Sequence, residues 1–159
     1  MPPITALLHT ANDALRLGRA LETLLPCQEI LIVDHASSDS TRRIANRYGA
    51  RFVCADSLPA FEYAQLAAHD WVLCLDPSES LTESLQATLF EWNLLDAVEV
   101  PARAFSLFAR QQIGEVWKRQ PEPETRLVHR NWRSWKGHFP EFDATCPVLE
   151  GELLGLTWP

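Results

Sequence analysis

Residues 29–41 read EILIVDHASSDST, an apolar run that ends in a cluster of aspartates, serines and one histidine. A continuous run rich in isoleucine and valine is typical of a parallel strand that is covered on both faces. The residues that follow it, Ser37–Asp39, are of the types that cap a helix. The segment therefore predicts a strand, Glu29–Asp34, a polar loop and a helix, Thr41–Tyr48.

The same alternation of strand and helix continues on both sides of this segment. Further strands are predicted over Ile4–His9, Arg51–Cys54, Trp71–Leu75 and Ala97–Val100, and further helices over 13–25, Leu58–His69 and Leu81–Trp92. Short β–α steps connect neighbouring parallel strands. We therefore predict an α/β fold with a mostly parallel, doubly wound sheet.

The pattern loosens after Pro101. Ala102–Val116 fits either a helix or an irregular arm, whereas Thr125–His129 and Pro147–Leu156 are predicted strands. No linker is long enough to separate two domains. We therefore predict a single domain, in which residues 1–101 form the α/β half and residues 102–159 form an irregular extension.

Composition excludes several classes of protein. The chain has 159 residues, of which 47% are hydrophobic, so it can build a core and is not disordered. Its net charge of −7 argues against nucleic-acid binding. The four cysteines form no CxxC pair, and neither a signal peptide nor an apolar run of about 20 residues is present. These features predict a reduced, cytoplasmic protein.

Candidate site residues follow the predicted strands, because ligands of open α/β sheets bind beyond the carboxyl ends of the strands. Three polar clusters meet this condition: 9–12, 34–39 and 76–79. The chain has no glycine-rich phosphate loop and no GxSxG motif, which disfavours dehydrogenases, P-loop NTPases and α/β-hydrolases. Carboxylates that bind ribose hydroxyls or a divalent cation suit a nucleotide-sugar transferase instead.

Five segments resemble motifs of family 2 glycosyltransferases. Residues 10–13 (TAND) resemble the family's Thr-x-Asn-Glu opening, 30–41 its Val-Asp-x-Gly-Ser-x-Asp-x-Thr block, and 71–79 (WVLCLDPSE) its strand ending in Leu-Asp-Ala-Asp-Glu. Residues 124–130 and 135–141 resemble segments of the lipopolysaccharide-core branch. The resemblance implies a Rossmann-like GT-A fold, with a nucleotide-binding half and an acceptor-side extension. It also implies inverting transfer from a nucleotide-diphosphate sugar to a glycan or lipid hydroxyl.

The resemblance assigns roles in the nucleotide pocket to individual residues. Thr10 and Asn12 would line the pocket, and Asp34 would contact the base. Asp39 would brace the loop after the second strand. Asp76 would face the ribose or bind Mn²⁺ or Mg²⁺, the cofactor that the family's Asp-x-Asp motif holds.

A second group of residues is expected on the acceptor side. Glu124 is the predicted catalytic base, with Glu141 and Asp143 as alternatives. Arg126 and Arg130 share one face of a regular strand and are predicted to contact the diphosphate. The lone histidines of this part, His129 and His138, are predicted to be structural.

The chain departs from the family at four places. Asp-x-Asp is Asp76-Pro77-Ser78, and a hydroxyl binds a hard cation less well than a carboxylate does. Residues 59–70 lack the family's Arg or Lys, while Ala36 and His9 replace a glycine and a proline. The alternatives to an active transferase are therefore an inactive binding or regulatory module of the same fold and an unrelated Rossmann-like nucleotide binder.

Residues 103–119 (RAFSLFARQQIGEVWKR) combine basic residues with large apolar ones. Such a combination is typical of segments that lie on a membrane surface. It predicts peripheral contact with the inner face of the membrane.

Overall fold

A computed structural model describes residues 2–156. The strands are β1 (Ile4–Thr10), β2 (Glu29–Asp34), β3 (Arg51–Cys54), β4 (Trp71–Leu75), β5 (Glu79–Leu81), β6 (Ala104–Ile113), β7 (Val116–Arg119), β8 (Glu124–His129), β9 (Trp135–Lys136), β10 (Phe139–Pro140) and β11 (Val148–Gly155). The helices are α1 (Ala14–Glu22), α2 (Thr41–Arg47), α3 (Ala60–Gln65) and α4 (Glu83–Trp92). The described chain is thus an alternating α/β half followed by a mostly β half.

One mixed sheet contains nearly all of these strands. Its order is β3-β2-β1-β4-β8-β6-β11-β5, with β7 paired to the free part of β6. The first four strands are parallel, as predicted. Antiparallel pairs occur where β8, β6, β7 and β5 join the sheet, so residues 102–156 extend the sheet of the first half.

The sheet is covered on both faces, because the side chains of its central strands β1 and β4 are buried at almost every position. In β1, Leu8 packs with α1, α2 and α4 in one core cluster, whereas Leu7 packs with α3 in the other. Successive residues of a strand point to opposite faces, which explains this division. The predicted doubly wound α/β architecture is confirmed.

Two predicted elements are wrong. Ala97–Val100 is not a strand, because Asp96 and Glu99 form a capping box that starts a 3₁₀ helix over Ala97–Glu99. Ala102–Val116 is neither a helix nor an irregular arm, since Ala104–Ile113 is the long strand β6, paired with β8, β11 and β7. Its apolar first half is buried on both sides, so alternation of apolar and polar residues gave no strand signal.

No helix within residues 2–156 is both long and apolar enough to span a membrane.

Candidate functional site

Thr10 and Asp34 end neighbouring parallel strands and lie side by side in register. The Thr10 hydroxyl donates a hydrogen bond to Asp34 Oδ1 at 2.7 Å, and the Ser37 N–H donates to Oδ2 at 3.0 Å. Burial acts to raise the pKa of Asp34, but the hydrogen bonds from Ser37 and Thr10 outweigh it and lower the pKa. The result is an ionised, nearly buried carboxylate at the edge of the sheet.

Asn12 and Asp39 join the loop after β1 to the loop after β2. Asn12 Oδ1 accepts a hydrogen bond from the Ser38 N–H at 2.8 Å. Asp39 Oδ2 accepts from the Ala14 N–H at 3.1 Å, and its Oδ1 accepts from the Thr41 N–H at 3.0 Å. The two side chains therefore hold the loops around the site.

Ala36, at the position of a glycine in the motif that residues 30–41 resemble, has a left-handed backbone with φ of 57°. This conformation costs a non-glycine residue about 1–2 kcal/mol. A glycine avoids this cost, but the greater entropy of its unfolded chain offsets part of the gain in stability. We expect Ala36→Gly to raise the free energy of unfolding, measured in urea, by about 0.5–1 kcal/mol. In contrast, Ala87→Gly in the exposed face of α4 should lower it by about 1 kcal/mol. Loss of stability in both variants would contradict the strain at Ala36.

An open cavity of about 400 Å³ lies beyond the carboxyl ends of β1, β2 and β4. Its lining comprises His9, Thr10, Ala11, Asp13, Arg16, His35, Asp76, Pro77 and His138. The structure therefore brings Thr10 and Asp76 together, with Asp34 directly behind Thr10. Ligand binding at this edge is the usual property of such a sheet.

Three histidines form a cluster in this cavity. His9 Nδ1 lies 2.9 Å from His35 Nε2, and the His9 ring stacks on the His138 ring with centroids 3.9 Å apart. Burial, reinforced by His138 and His35, lowers the pKa of His9 to about 3. The prediction that His138 is a lone histidine is wrong. His9 and His35 belong to two polar clusters that the sequence placed at one edge, but nothing in it placed His138 beside them.

The residues that follow Asp76 offer a hydroxyl, Ser78, and a carboxylate, Glu79, that is engaged in an ion pair. Its Oδ1 accepts hydrogen bonds from the Ser78 N–H at 3.0 Å and from the Ser78 hydroxyl at 2.6 Å. The neighbouring Glu79 accepts from the Asp76 N–H at 2.8 Å and binds Arg126 with both oxygens, at 2.6 and 3.0 Å. The oxygen atoms available around Asp76 therefore do not fit a Mn²⁺ or Mg²⁺ ion held by a pair of carboxylates.

Arg126 uses all of its donors within the protein. Its Nε donates to Glu124, its Nη1 to Glu79 and the Cys74 carbonyl, and its Nη2 to Glu79 and Glu124. A guanidinium has five N–H donors, so a phosphate would have to displace one of these partners. Burial acts to lower the pKa of Arg126, but the interactions with Glu79 and Glu124 outweigh burial and raise the pKa. Arg126 thus lies in a buried ion pair, and its predicted contact with the diphosphate would require one of these partners to be displaced.

The cavity lies at the carboxyl ends of the parallel strands, whereas Arg130 lies near their amino ends. Because β8 runs antiparallel to β4, its last residue, His129, pairs with Trp71 at the beginning of β4. Arg130 Nε contacts Asp70 Oδ1 at 3.3 Å, and Nη1 donates to the Ala67 carbonyl at 3.3 Å. The predicted contact of Arg130 with the diphosphate assumed one face of a strand without its direction, and this direction separates Arg130 from the cavity beside Thr10 and Asp76.

Glu124 lies at the near end of β8, in a second cavity of about 300 Å³. This cavity is lined by Glu124, Thr125, Arg126, Lys136, Phe139, Pro140, Glu141 and Phe142. Glu141, an alternative base, is therefore brought to Glu124. Asp143 does not line the cavity, and its carboxylate accepts from the Thr145 N–H at 2.9 Å. Phe139 also adjoins His9, Asp76 and His138, so the two cavities are neighbours.

The chain matches no protein-family model. An uncharacterized glycosyltransferase of Rickettsia felis is 33% identical over 91 residues, which cover 54% of this chain and 32% of that protein. An uncharacterized glycosyltransferase of Rickettsia conorii is 34% identical over 88 residues, which cover 52% of this chain and 31% of that protein. The match thus spans about a third of the length of each relative.

Solved structures of glycosyltransferases resemble a larger part of the chain than the sequence relatives do. S. aureus TarS 1–349 in complex with UDP-GlcNAc has a TM-score of 0.57 at 15% identity, covering 72% of this chain and 36% of TarS. Glucosyl-3-phosphoglycerate synthase from Mycobacterium tuberculosis, with Mn²⁺ and UDP, has a TM-score of 0.51 at 18% identity, covering 70% of this chain and 45% of the synthase. At these identities the likeness concerns the fold, and the predicted fold is confirmed: the chain has a GT-A-like glycosyltransferase fold.

Proposed function

We propose that the chain is the donor-binding part of a glycosyltransferase, which moves a sugar from a nucleotide diphosphate to a hydroxyl of a glycan or lipid, with inversion. The observation that carries this proposal is the ionised Asp34, held by Thr10 at the edge of a GT-A-like sheet, beside an open cavity. Asp34 Oδ1 accepts from the hydroxyls of Thr10 and Ser37, whereas Oδ2 accepts only from the Ser37 N–H. Oδ2 therefore keeps a lone pair that can bind the N–H of a base.

In the proposed donor site, residues at the carboxyl ends of β1, β2 and β4 bind different parts of the nucleotide. Asp34 accepts the base N–H, Thr10 and Asp76 line the space for the ribose, and Asn12 and Asp39 hold the surrounding loops. TarS was solved with UDP-GlcNAc and the mycobacterial synthase with UDP, which supports uridine diphosphate as the first nucleotide to test.

We expect calorimetric titration with UDP, GDP, CDP and dTDP to show binding of one nucleotide, with UDP the first candidate. Asp34→Asn should weaken that binding by at least about tenfold, because a hydrogen bond to a charged group contributes about 1.5–3 kcal/mol. Asp70→Asn makes the same change at the opposite edge and should leave the affinity unchanged. Absence of binding to all four nucleotides, or an unaffected Asp34→Asn variant, would contradict the proposal.

The proposed catalytic base is Glu124. Arg126 donates two hydrogen bonds to its Oε2, while the side chain is 42% exposed, which leaves Oε1 for an acceptor. Oε1 would take the proton of the acceptor hydroxyl. At the same time the hydroxyl oxygen would bond to the anomeric carbon of the sugar, and the bond from that carbon to the diphosphate would break on the opposite face. Glu141 is the alternative base in the same cavity.

A binding or regulatory module without transfer is the second candidate. It is favoured by Ser78 in place of a carboxylate and by the ion pair that engages Glu79. The donor sugar distinguishes the two functions. Release of sugar from the bound donor, slowed in Glu124→Gln at unchanged nucleotide affinity, supports transfer, whereas binding without release supports the module.

We also propose that the hairpin of β6 and β7 makes the peripheral membrane contact. Ile113, Val116 and Trp117 are exposed at its tip, next to Lys118 and Arg119. We expect the protein to sediment with vesicles that contain anionic phospholipid more than with neutral ones, because basic residues add electrostatic attraction. Trp117→Ala should weaken this binding, and equal sedimentation of both proteins would contradict the contact.

A further inference from the structure

We propose that His9, His35 and His138 form a binding site for one divalent transition-metal ion, of the class that includes Zn²⁺ and Co²⁺. The site lies in the cavity at the carboxyl ends of the strands. Binding of this ion depends on the side chains of this chain alone and does not require transferase activity.

The first support is the distance between possible ligand atoms. One ring nitrogen from each histidine lies within 4.8 Å of the others. Tetrahedral zinc, with Zn–N bonds of about 2.0–2.1 Å, needs nitrogens about 3.4 Å apart. To surround one ion, the nitrogens must approach each other by about 1 Å and the stacked rings of His9 and His138 must turn toward it. Three histidines with one open position are a known arrangement for zinc.

The second support is the unsatisfied ring of His9. Its Nε2 is buried and has no hydrogen-bond partner within residues 2–156, and its Nδ1 faces only another imidazole, that of His35. Buried polar atoms in proteins are nearly always bonded, so an unpartnered one indicates a missing partner such as an ion. An ion bound at this Nε2 would supply that partner.

The backbone fixes all three histidines in place. His9 lies in β1, and His35 follows β2 directly, its N–H bonded to the Thr10 carbonyl at 2.8 Å. His138 is the second residue of the two-residue turn between β9 and β10, whose first residue, Gly137, has φ of 62°. Positive φ at the first position is typical of a tight hairpin turn that needs glycine. This hairpin presents His138 to the other two rings.

The donor set selects the class of metal. Imidazole nitrogens favour zinc, cobalt, nickel and copper over magnesium and calcium, which prefer oxygen. Within the described residues, no carboxylate belongs to the cluster. Asp76 and Thr10 line the same cavity, so the open position of a bound ion would face the space proposed for the nucleotide. Binding of the diphosphate to this ion would rest on the proposed function.

The test is a Co²⁺ titration of metal-stripped protein that carries no polyhistidine tag. We expect one ion per chain, with the intense visible absorption of four-coordinate Co²⁺ and displacement by Zn²⁺ but not by Mg²⁺. His138→Ala should weaken binding by at least about tenfold, as should His35→Ala. His138 is exposed in a turn, so its substitution leaves the core intact.

His69→Ala is the matched control, since it removes a histidine outside the cluster and should leave Co²⁺ binding unchanged. Failure to bind one Co²⁺ ion per chain, or equal binding by His138→Ala and the unmodified protein, would overturn the proposal. A UDP titration with and without Zn²⁺ keeps the two proposals separate. Co²⁺ binding without UDP binding would uphold the metal site and contradict only the donor site.

Discussion

The Glu79→Gln variant should lose about 3 kcal/mol of its free energy of unfolding, measured by urea denaturation. The side chains of Glu79 and Arg126 are only 5% and 7% exposed, and two hydrogen bonds of 2.6 and 3.0 Å join them. Glutamine keeps the shape but leaves the buried guanidinium without its main counter-charge. The expected loss is at the lower end for a broken buried pair because Glu124 still contacts Arg126.

Glu124→Gln is the matched control for this variant. Its side chain is 42% exposed, so water screens its interaction with Arg126, and we expect a loss below about 1 kcal/mol. Replacing the whole pair, Glu79→Leu with Arg126→Met, should destabilise less than Glu79→Gln, because no unpaired charge stays buried. A loss in Glu79→Gln no larger than that in Glu124→Gln would show that the pair is not desolvated.

The second large effect is expected for Gly151→Ala, at about 3–5 kcal/mol of unfolding free energy. Gly151 in β11 has φ of 98°, and an added Cβ would lie 2.5 Å from both the backbone N and the Cα of Leu85. Leu85 is fully buried in α4, so the clash can be relieved only by moving the helix. Thermal or urea denaturation measures the loss.

Gly155→Ala in the same strand serves as the control for Gly151→Ala. An added Cβ there would lie 2.4 Å from Nε2 of Gln111, the tip of a flexible side chain that can turn away. We expect a loss below about 1 kcal/mol. Similar losses in the two alanine variants would mean that contact with the helix backbone is not the cause.

The α/β half was predictable because its signals are local. Apolar runs such as residues 30–33 specify buried parallel strands. The predicted cap at Ser37–Asp39 is wrong, however, since α2 begins after Ser40. Since the carboxyl ends of parallel strands meet at one edge, the sequence also predicted that Thr10, Asp34 and Asp76 would lie near one another. The structure has Thr10 bonded to Asp34, and Asp76 in the same cavity as Thr10.

The second half was less predictable because its strands depend on pairing across the sheet. The first half of strand β6 is apolar and buried on both faces, so the pattern of its residues is compatible with more than one secondary structure. The direction of β8 follows from its pairing with β4, and that direction moves Arg130 to the far edge of the sheet. Neither fact can be read from a short window of residues.

The amino-acid order thus specified the strand–helix alternation, the parallel sheet and the edge where polar side chains collect, because each depends on neighbours along the chain. Long-range packing assigned the side chains their partners. It paired Glu79 with Arg126, which lies 47 residues later, and brought His138 onto His9. Such contacts depend on strand order and direction, which are set by the burial of the whole sheet.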